Sequence, residues 1–282
     1  MIPDPRRRGS SPQTWCRPAG PKGAGRRCRG RLGAWAVLLA LAWLWGCTLR
    51  PPLAAPLLDS RQSDLWRARL EAINRDLGAV KAVGRLALAD PRGSYGIRAA
   101  WAAAPPDRLR MDLLGGVLPA ASLASDGRRI SLRENDSGRV RTLSGADASL
   151  APLLGLALTV PDAVRILAGR PPVLPGDALR AQDLETDGET ALFFEKRRGG
   201  YARVVVAGGG RELRQVEMRA GDGTLRWRVV YRDYRDLPPY RLPAVIEISD
   251  ETRSCTLRAE RIWPDAILED RLFILHGPDG GS

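Results

Sequence analysis

Two hydrophobic periods divide the chain. Between Ser63 and Leu77 the apolar residues Trp66, Leu70, Ile73 and Leu77 recur every three or four positions, lining one face of a helix that Ser63 is placed to cap. From Val80 onward the period falls to two, with Gly84, Leu86 and Leu88 opposed to Lys81, Val83 and Arg85. Tyr95, Ile97, Ala99 and Trp101 share one strand face, as do Leu109, Met111 and Leu113. Asp90-Pro91-Arg92-Gly93 and Pro105-Pro106-Asp107 between these runs are turn sequences. Further strands are predicted at Arg129–Arg133, Thr190–Lys196, Tyr201–Ala207, Glu212–Arg219, Thr224–Tyr234, Ala244–Ser249 and Ser254–Ile262, with Gly208-Gly209-Gly210 as a hairpin connection. Ser149–Leu158 and Val160–Gly169 read instead as helices. Pro161 suits a first helical turn, and Gly169-Arg170-Pro171-Pro172 stops the second helix. The pattern predicts a mainly β fold of the α+β class, a curved antiparallel sheet with helices over its concave side. Alternation alone leaves open whether that interior is hollow or packed.

Upstream of this body the chain has a different character. Arg26, Arg27, Arg29 and Arg31 precede the apolar run Leu32 to Trp45, which ends at Gly46-Cys47. Charge, apolar core, small residue and cysteine follow the order of a lipoprotein export signal. Residues 1–46 are expected to be a signal peptide cleaved after Gly46, with lipid attached to Cys47. Residues 47–62, with Pro51, Pro52 and Pro56, suit a lipidated tether, 63–276 a folded domain, and 277–282 a flexible tail. Thr48, not aspartate, follows Cys47, which by the sorting rule of enteric bacteria places the protein in the outer membrane, facing the periplasm.

The formal charge of +12 changes little. Of 44 basic and 32 acidic residues, 9 and 1 lie in residues 1–46, leaving 35 against 31 in the remainder. Such a small excess implies no nucleic-acid partner. Arg226, Arg228 and Arg232 alternate with Leu225, Trp227, Val229 and Tyr231, as in a strand with one wet and one apolar side. After cleavage only Cys47 and Cys255 remain of four cysteines, and Cys255 reads as a buried strand residue. His276 is the only histidine, which argues against a histidine-based triad or metal site. No phosphate-binding glycine loop or marked carboxylate pair is present, so neither an enzyme nor a cofactor is expected.

Four stretches carry a family resemblance: Val83-Gly84-Arg85-Leu86 through Ile97 and Trp101 to Asp107–Met111; Leu113-Leu114-Gly115-Gly116-Val117-Leu118-Pro119; Leu158–Pro161 with Ile166–Pro171; and Trp227–Tyr231 to Tyr234 with Leu242-Pro243. Over residues 80–262 the chain resembles the LolA/LolB-like lipoprotein carriers, nearest their outer-membrane receptor branch, LolB. Ile166 stands where that family tends to have tryptophan and Arg170 where it tends to be apolar, Val173–Gly210 is longer than the LolB branch needs and is read as an added hairpin, and Leu268–Leu275 is more like the LolA branch.

The resemblance implies a half-open antiparallel barrel with a helical lid, enclosing an apolar cavity that accepts acyl chains. Leu86, Leu88, Ile97, Trp101, Leu109, Met111, Leu113, Ile166, Trp227, Val229 and Tyr231 would line it, and a protruding loop with Val117 and Leu118 would touch the membrane. It further implies a membrane-anchored lipoprotein that receives acylated lipoproteins or lipids from a LolA-like periplasmic carrier and transfers them to the outer membrane. The alternative is a non-catalytic structural or assembly lipoprotein that docks a partner in a cell-envelope complex.

Overall fold

Helix α1 (Ser60–Ala72) begins earlier than its periodicity predicts, because Asp59 and not Ser63 caps it. The Asp59 carboxylate accepts the Gln62 backbone N–H at 2.7 Å, and the Gln62 side chain accepts the Asp59 N–H at 3.4 Å. This reciprocal box satisfies two donors at the helix start. Leu70, Ile73 and Leu77 are buried and Trp66 packs against the same core, so the helical face is as expected. In this computed structural model the described residues are 55–275, except 116–118, 135–136, 145–148, 152–154, 156, 173, 175–177, 185–187 and 196–198. Gly46, Cys47, Val117, Leu118 and His276 lie outside the described residues.

Six strands follow α1 as an antiparallel meander: β1 (Val80–Asp90), β2 (Gly93–Ala104), β3 (Arg108–Leu114), β4 (Pro119–Asp126), β5 (Arg129–Glu134) and β6 (Val140–Ser144). Helix α2 (Val160–Leu167) interrupts them. A second meander then runs through β7 (Ala178–Asp183), β8 (Thr190–Glu195), β9 (Tyr201–Ala207), β10 (Glu212–Arg219), β11 (Leu225–Leu237), β12 (Tyr240–Ser249) and β13 (Ser254–Pro264). Pairing of β1 with β13 fuses the two into one thirteen-stranded sheet with β6 and β7 at its edges.

Sequence reading missed β4, β6 and β7. The alanines and serines of β4 give little contrast between its faces, and the buried Ser122 and Ser125 are satisfied by contacts that only the folded sheet makes, donating to the Asp112 carboxylate at 2.6 Å and to the Asp107 carbonyl at 3.1 Å. The helix expected at Ser149–Leu158 is not supported at its ends. Ser149 and Thr159 form an antiparallel bridge, and the Leu150 N–H donates to the Leu158 carbonyl at 2.7 Å. The second helix holds: the Thr159 hydroxyl caps it by accepting the Asp162 N–H at 3.3 Å, Pro161 sits in its first turn, and Gly169 leaves it at φ +64°.

Helix α2 also shows that the sheet curls. Its eight residues span about 12 Å. It contacts β2 and β3, and its Arg165 shares a cleft with Phe194 of β8. In the strand order β3 and β8 are eight places apart, about 38 Å in a flat sheet. So short a helix can reach both only if the sheet wraps around it.

Two terminal segments finish the body. Ala55 to Leu58 lie along the β7 edge, with the Ala181 N–H donating to the Pro56 carbonyl at 3.2 Å and the Leu58 N–H to the Leu179 carbonyl at 3.0 Å. Phe273, in a short 3-10 turn (Asp270–Phe273), is buried with Ala79 and Ala104 on the convex side, beneath the Arg108 guanidinium. Among the described residues no helix is long and apolar enough to cross a membrane.

Candidate functional site

Antiparallel register aligns the inward side chains of this sheet into rows that cross the strands. One row begins at Tyr95 on β2 and passes through Leu88, Cys255, Ile248, Val229, Val216, Val204 and Leu192 to Ala181 on β7. Each residue of the row comes from a different strand, and together they extend over about 38 Å of curved surface. Exposure falls along it, from 58% at Tyr95 to 7% at Ile248 and 0% at Val229. A second row, Ile97, Leu86, Leu257, Ile246 and Tyr231, lies one step deeper. Trp101, Met111, Leu123 and Leu132 form a third.

The exposed end of the first row lies in an open groove of about 800 Å³, bounded by Leu88, Tyr95, Cys255, the Asp90–Gly93 turn, Gly155 and Arg253. Arg253 donates to the Gly155 carbonyl at 3.1 Å and so ties the segment that precedes α2 to the β12–β13 turn. A β-carbon at Gly155 would lie 2.1 Å from that guanidinium, and its φ is +73°. Glycine is therefore needed at this wall.

All eleven expected lining residues face this interior. Leu86, Trp101, Leu109, Met111, Ile166, Trp227, Val229 and Tyr231 are buried in one continuous core, and Leu88, Ile97 and Leu113 pack against it partly buried. Leu88 is the one of the eleven that also borders the groove. The space enclosed between Leu167 of α2 and Trp101, Leu242 and Leu257 of the sheet is about 10 Å³, room for about one water. Between Leu167 and the sheet the space is thus filled by side chains, and larger open volumes lie in the groove and in a cleft of about 210 Å³ lined by Arg67 and Leu70 of α1, Arg165 of α2 and Phe194 of β8. Sequence reading did not single out Ile248, Gly155 or Arg253 as part of a site, because only pairing between distant strands brings them to the groove.

The two helices are fastened to each other. Arg170 donates to the carbonyls of Asn74 at 2.7 Å, Arg75 at 2.8 Å and Leu77 at 2.6 Å. Burial, with Arg165 nearby, lowers the pKa of its guanidinium. In return the Asn74 side-chain amide donates to the Ala168 carbonyl at 3.1 Å. The segment after α1 and the end of α2 are therefore tied together by four hydrogen bonds.

At the groove floor, burial pushes the Cys255 thiol from its ordinary 9.0 up to about 12. The thiolate is the reactive form. At pH 8 N-ethylmaleimide should modify Cys255 at least about a thousandfold more slowly in the folded protein than in urea, followed by peptide mass. Well below pH 9 both folded and unfolded thiols are neutral. As pH rises from there to about 12 only the unfolded chain ionises, so this residue's contribution to stability is lost across that window. Equal labelling rates in both states would show the sulfur to be open.

Solved structures share this architecture. A domain described as an outer-membrane lipoprotein-sorting protein from Vibrio parahaemolyticus superposes with a TM-score of 0.54 at 14% identity, over 76% of this chain and 94% of that one. A LolA superfamily protein from Nitrosomonas europaea gives 0.54 at 14% identity, over 74% and 97%. The fold is that of the LolA superfamily. A DUF1329 family protein from Desulfovibrio piger also superposes on this chain, with a TM-score of 0.57 at 8% identity over 76% of this chain and 96% of that one. No family model and no curated protein matches the sequence. The expected LolA-like curved sheet with helices on its concave side is therefore the observed fold.

Proposed function

We propose that this protein is a membrane-anchored lipoprotein that binds acyl chains of lipoproteins or lipids on its concave face and passes them to the outer membrane. The observation that carries this reading is the apolar row that begins in the open groove at Tyr95 and continues into the sealed interior at Val229 and Leu192. Each methylene taken from water gains about 0.8 kcal/mol without needing a polar partner. A chain entering at Leu88 and Cys255 finds one such track, and it advances by displacing the side chains of α1 and α2 from the sheet. Release requires an apolar sink, which a bilayer supplies.

Other parts of the chain fit the same cycle. Lipid on Cys47 holds the domain at the membrane, and a LolA-like periplasmic carrier supplies the cargo. Val117 and Leu118 join β3 to β4, and β3 ends at Leu114 opposite Arg98, on the same side of the sheet as the Asp90–Gly93 turn. In this reading the loop meets the bilayer beside the groove. The names of the Vibrio and Nitrosomonas proteins, which concern lipoprotein sorting and the LolA superfamily, support it through shared fold.

Native mass spectrometry of full-length protein, extracted from envelopes in mild detergent, tests this. The expected result is acyl modification of Cys47 and a retained acylated ligand, whose removal speeds alkylation of Cys255. Protein that carries no ligand, and whose Cys255 gains no protection from an added triacylated lipopeptide, would exclude acyl binding.

A further inference from the structure

Tyr231 differs from every other residue of its row. Ile97, Leu86, Leu257 and Ile246 are hydrocarbon, whereas Tyr231 carries a hydroxyl that is buried at 1% exposure and has no hydrogen-bond partner among the described residues. Three positions later the fold does partner a tyrosine: the Tyr234 hydroxyl donates to the Leu213 carbonyl at 2.6 Å. Phenylalanine would fill the site of Tyr231 without leaving a polar group unmatched, which a folded protein ordinarily avoids. Its ring stands between the sheet and α2, close enough to feel the charges of Asp162 and Arg165. That layer is where a ligand on the concave face would lie.

Register fixes the distance from the groove. Cys255 pairs with Ile248 and Ile248 with Val229, so Tyr231 is two strands across and two residues deeper than the groove floor, about 12 Å between α-carbons. The main apolar row passes it at Val229, the neighbour on the same face. A chain lying over Val216, Val204 and Leu192 therefore has its polar end within one side chain of the Tyr231 hydroxyl.

We infer that Tyr231 is the polar anchor of the acyl site, its hydroxyl donating to the carbonyl of an ester- or amide-linked acyl group. The ligand class is then an acyl lipid with a carbonyl at the head of its chain, not a hydrocarbon or an ether lipid. This rests on the acyl-binding reading above. The test compares 1,2-dipalmitoylglycerol with its di-O-hexadecyl ether analogue, which lacks the carbonyls, by competition against a fluorescent fatty acid on the wild type and on Tyr231→Phe.

The wild type should prefer the ester about tenfold, equivalent to about 1.4 kcal/mol, and Tyr231→Phe should bind both lipids with the ether's affinity. Unchanged ether binding by the variant shows that its site is still folded. A wild type that binds both lipids equally overturns the anchor while leaving acyl binding in place. A variant that keeps the ester preference overturns it as well. If the wild type binds neither lipid, the acyl reading falls and the anchor with it.

Discussion

Gly84→Ala should destabilise the folded domain by about 3 kcal/mol or more, lowering its melting temperature by about 6–12 °C. A β-carbon at Gly84 would stand 2.0 Å from the Arg258 carbonyl oxygen and 3.0 Å from the Ala259 α-carbon. Both are backbone atoms of β13, so no side chain can swing aside to make room. The position is also the register shift between Val83 and Gly84, where β1 meets β13. That pairing is the seam of the sheet, since β1 through β6 lie on one side of it and β13 back to β7 on the other. Inserting a methyl group here pushes the two halves apart, and every row that crosses the seam loses its continuity. Calorimetry of the variant gives the answer directly. A melting temperature within a degree or two of the wild type would mean that the strands relax easily at the bulge.

Arg170→Ala should cost about 2–4 kcal/mol, because one guanidinium serves three backbone carbonyls beyond the end of α1. Removing it leaves the carbonyls of Asn74, Arg75 and Leu77 without their charged donor and frees the end of α2. Arg170→Met keeps most of the apolar stem and should be nearly as destabilised, which separates hydrogen bonding from packing. Hydrogen exchange in Val160–Leu167 should accelerate in both variants. If methionine restores wild-type stability, the carbonyls are adequately solvated and the contribution of Arg170 is packing alone.

Much of the fold could be read from local pattern, while the site could not. The sequence identified the inward set of β11, Trp227, Val229 and Tyr231 against Arg226, Arg228 and Arg232, because a strand's period of two assigns a face to each residue. It marked α2 by Pro161 at the start and Gly169 at the end, and α1 by its apolar spacing. Where two local signals competed, tertiary context chose. Asp59 took the cap from Ser63, since the chain had already been held along β7 by Pro56 and Leu58 and could turn into the helix at once. Arg170 was visible as part of the helix stop and as a departure from the resembled family's apolar residue; its role depends on carbonyls nearly a hundred positions away.

What the sequence by itself determined was therefore the class of each element and the face each side chain takes, properties set by neighbours within one or two helical turns. The tertiary structure decided the pairing of β1 with β13, the rows running from Tyr95 to Ala181, the groove at one rim and the filled space behind α2. Alternation is unchanged when a strand slides by two residues, so it cannot fix register. Register comes from backbone hydrogen bonds between segments far apart in the chain, and only when these are made do Leu88 and Cys255 become neighbours.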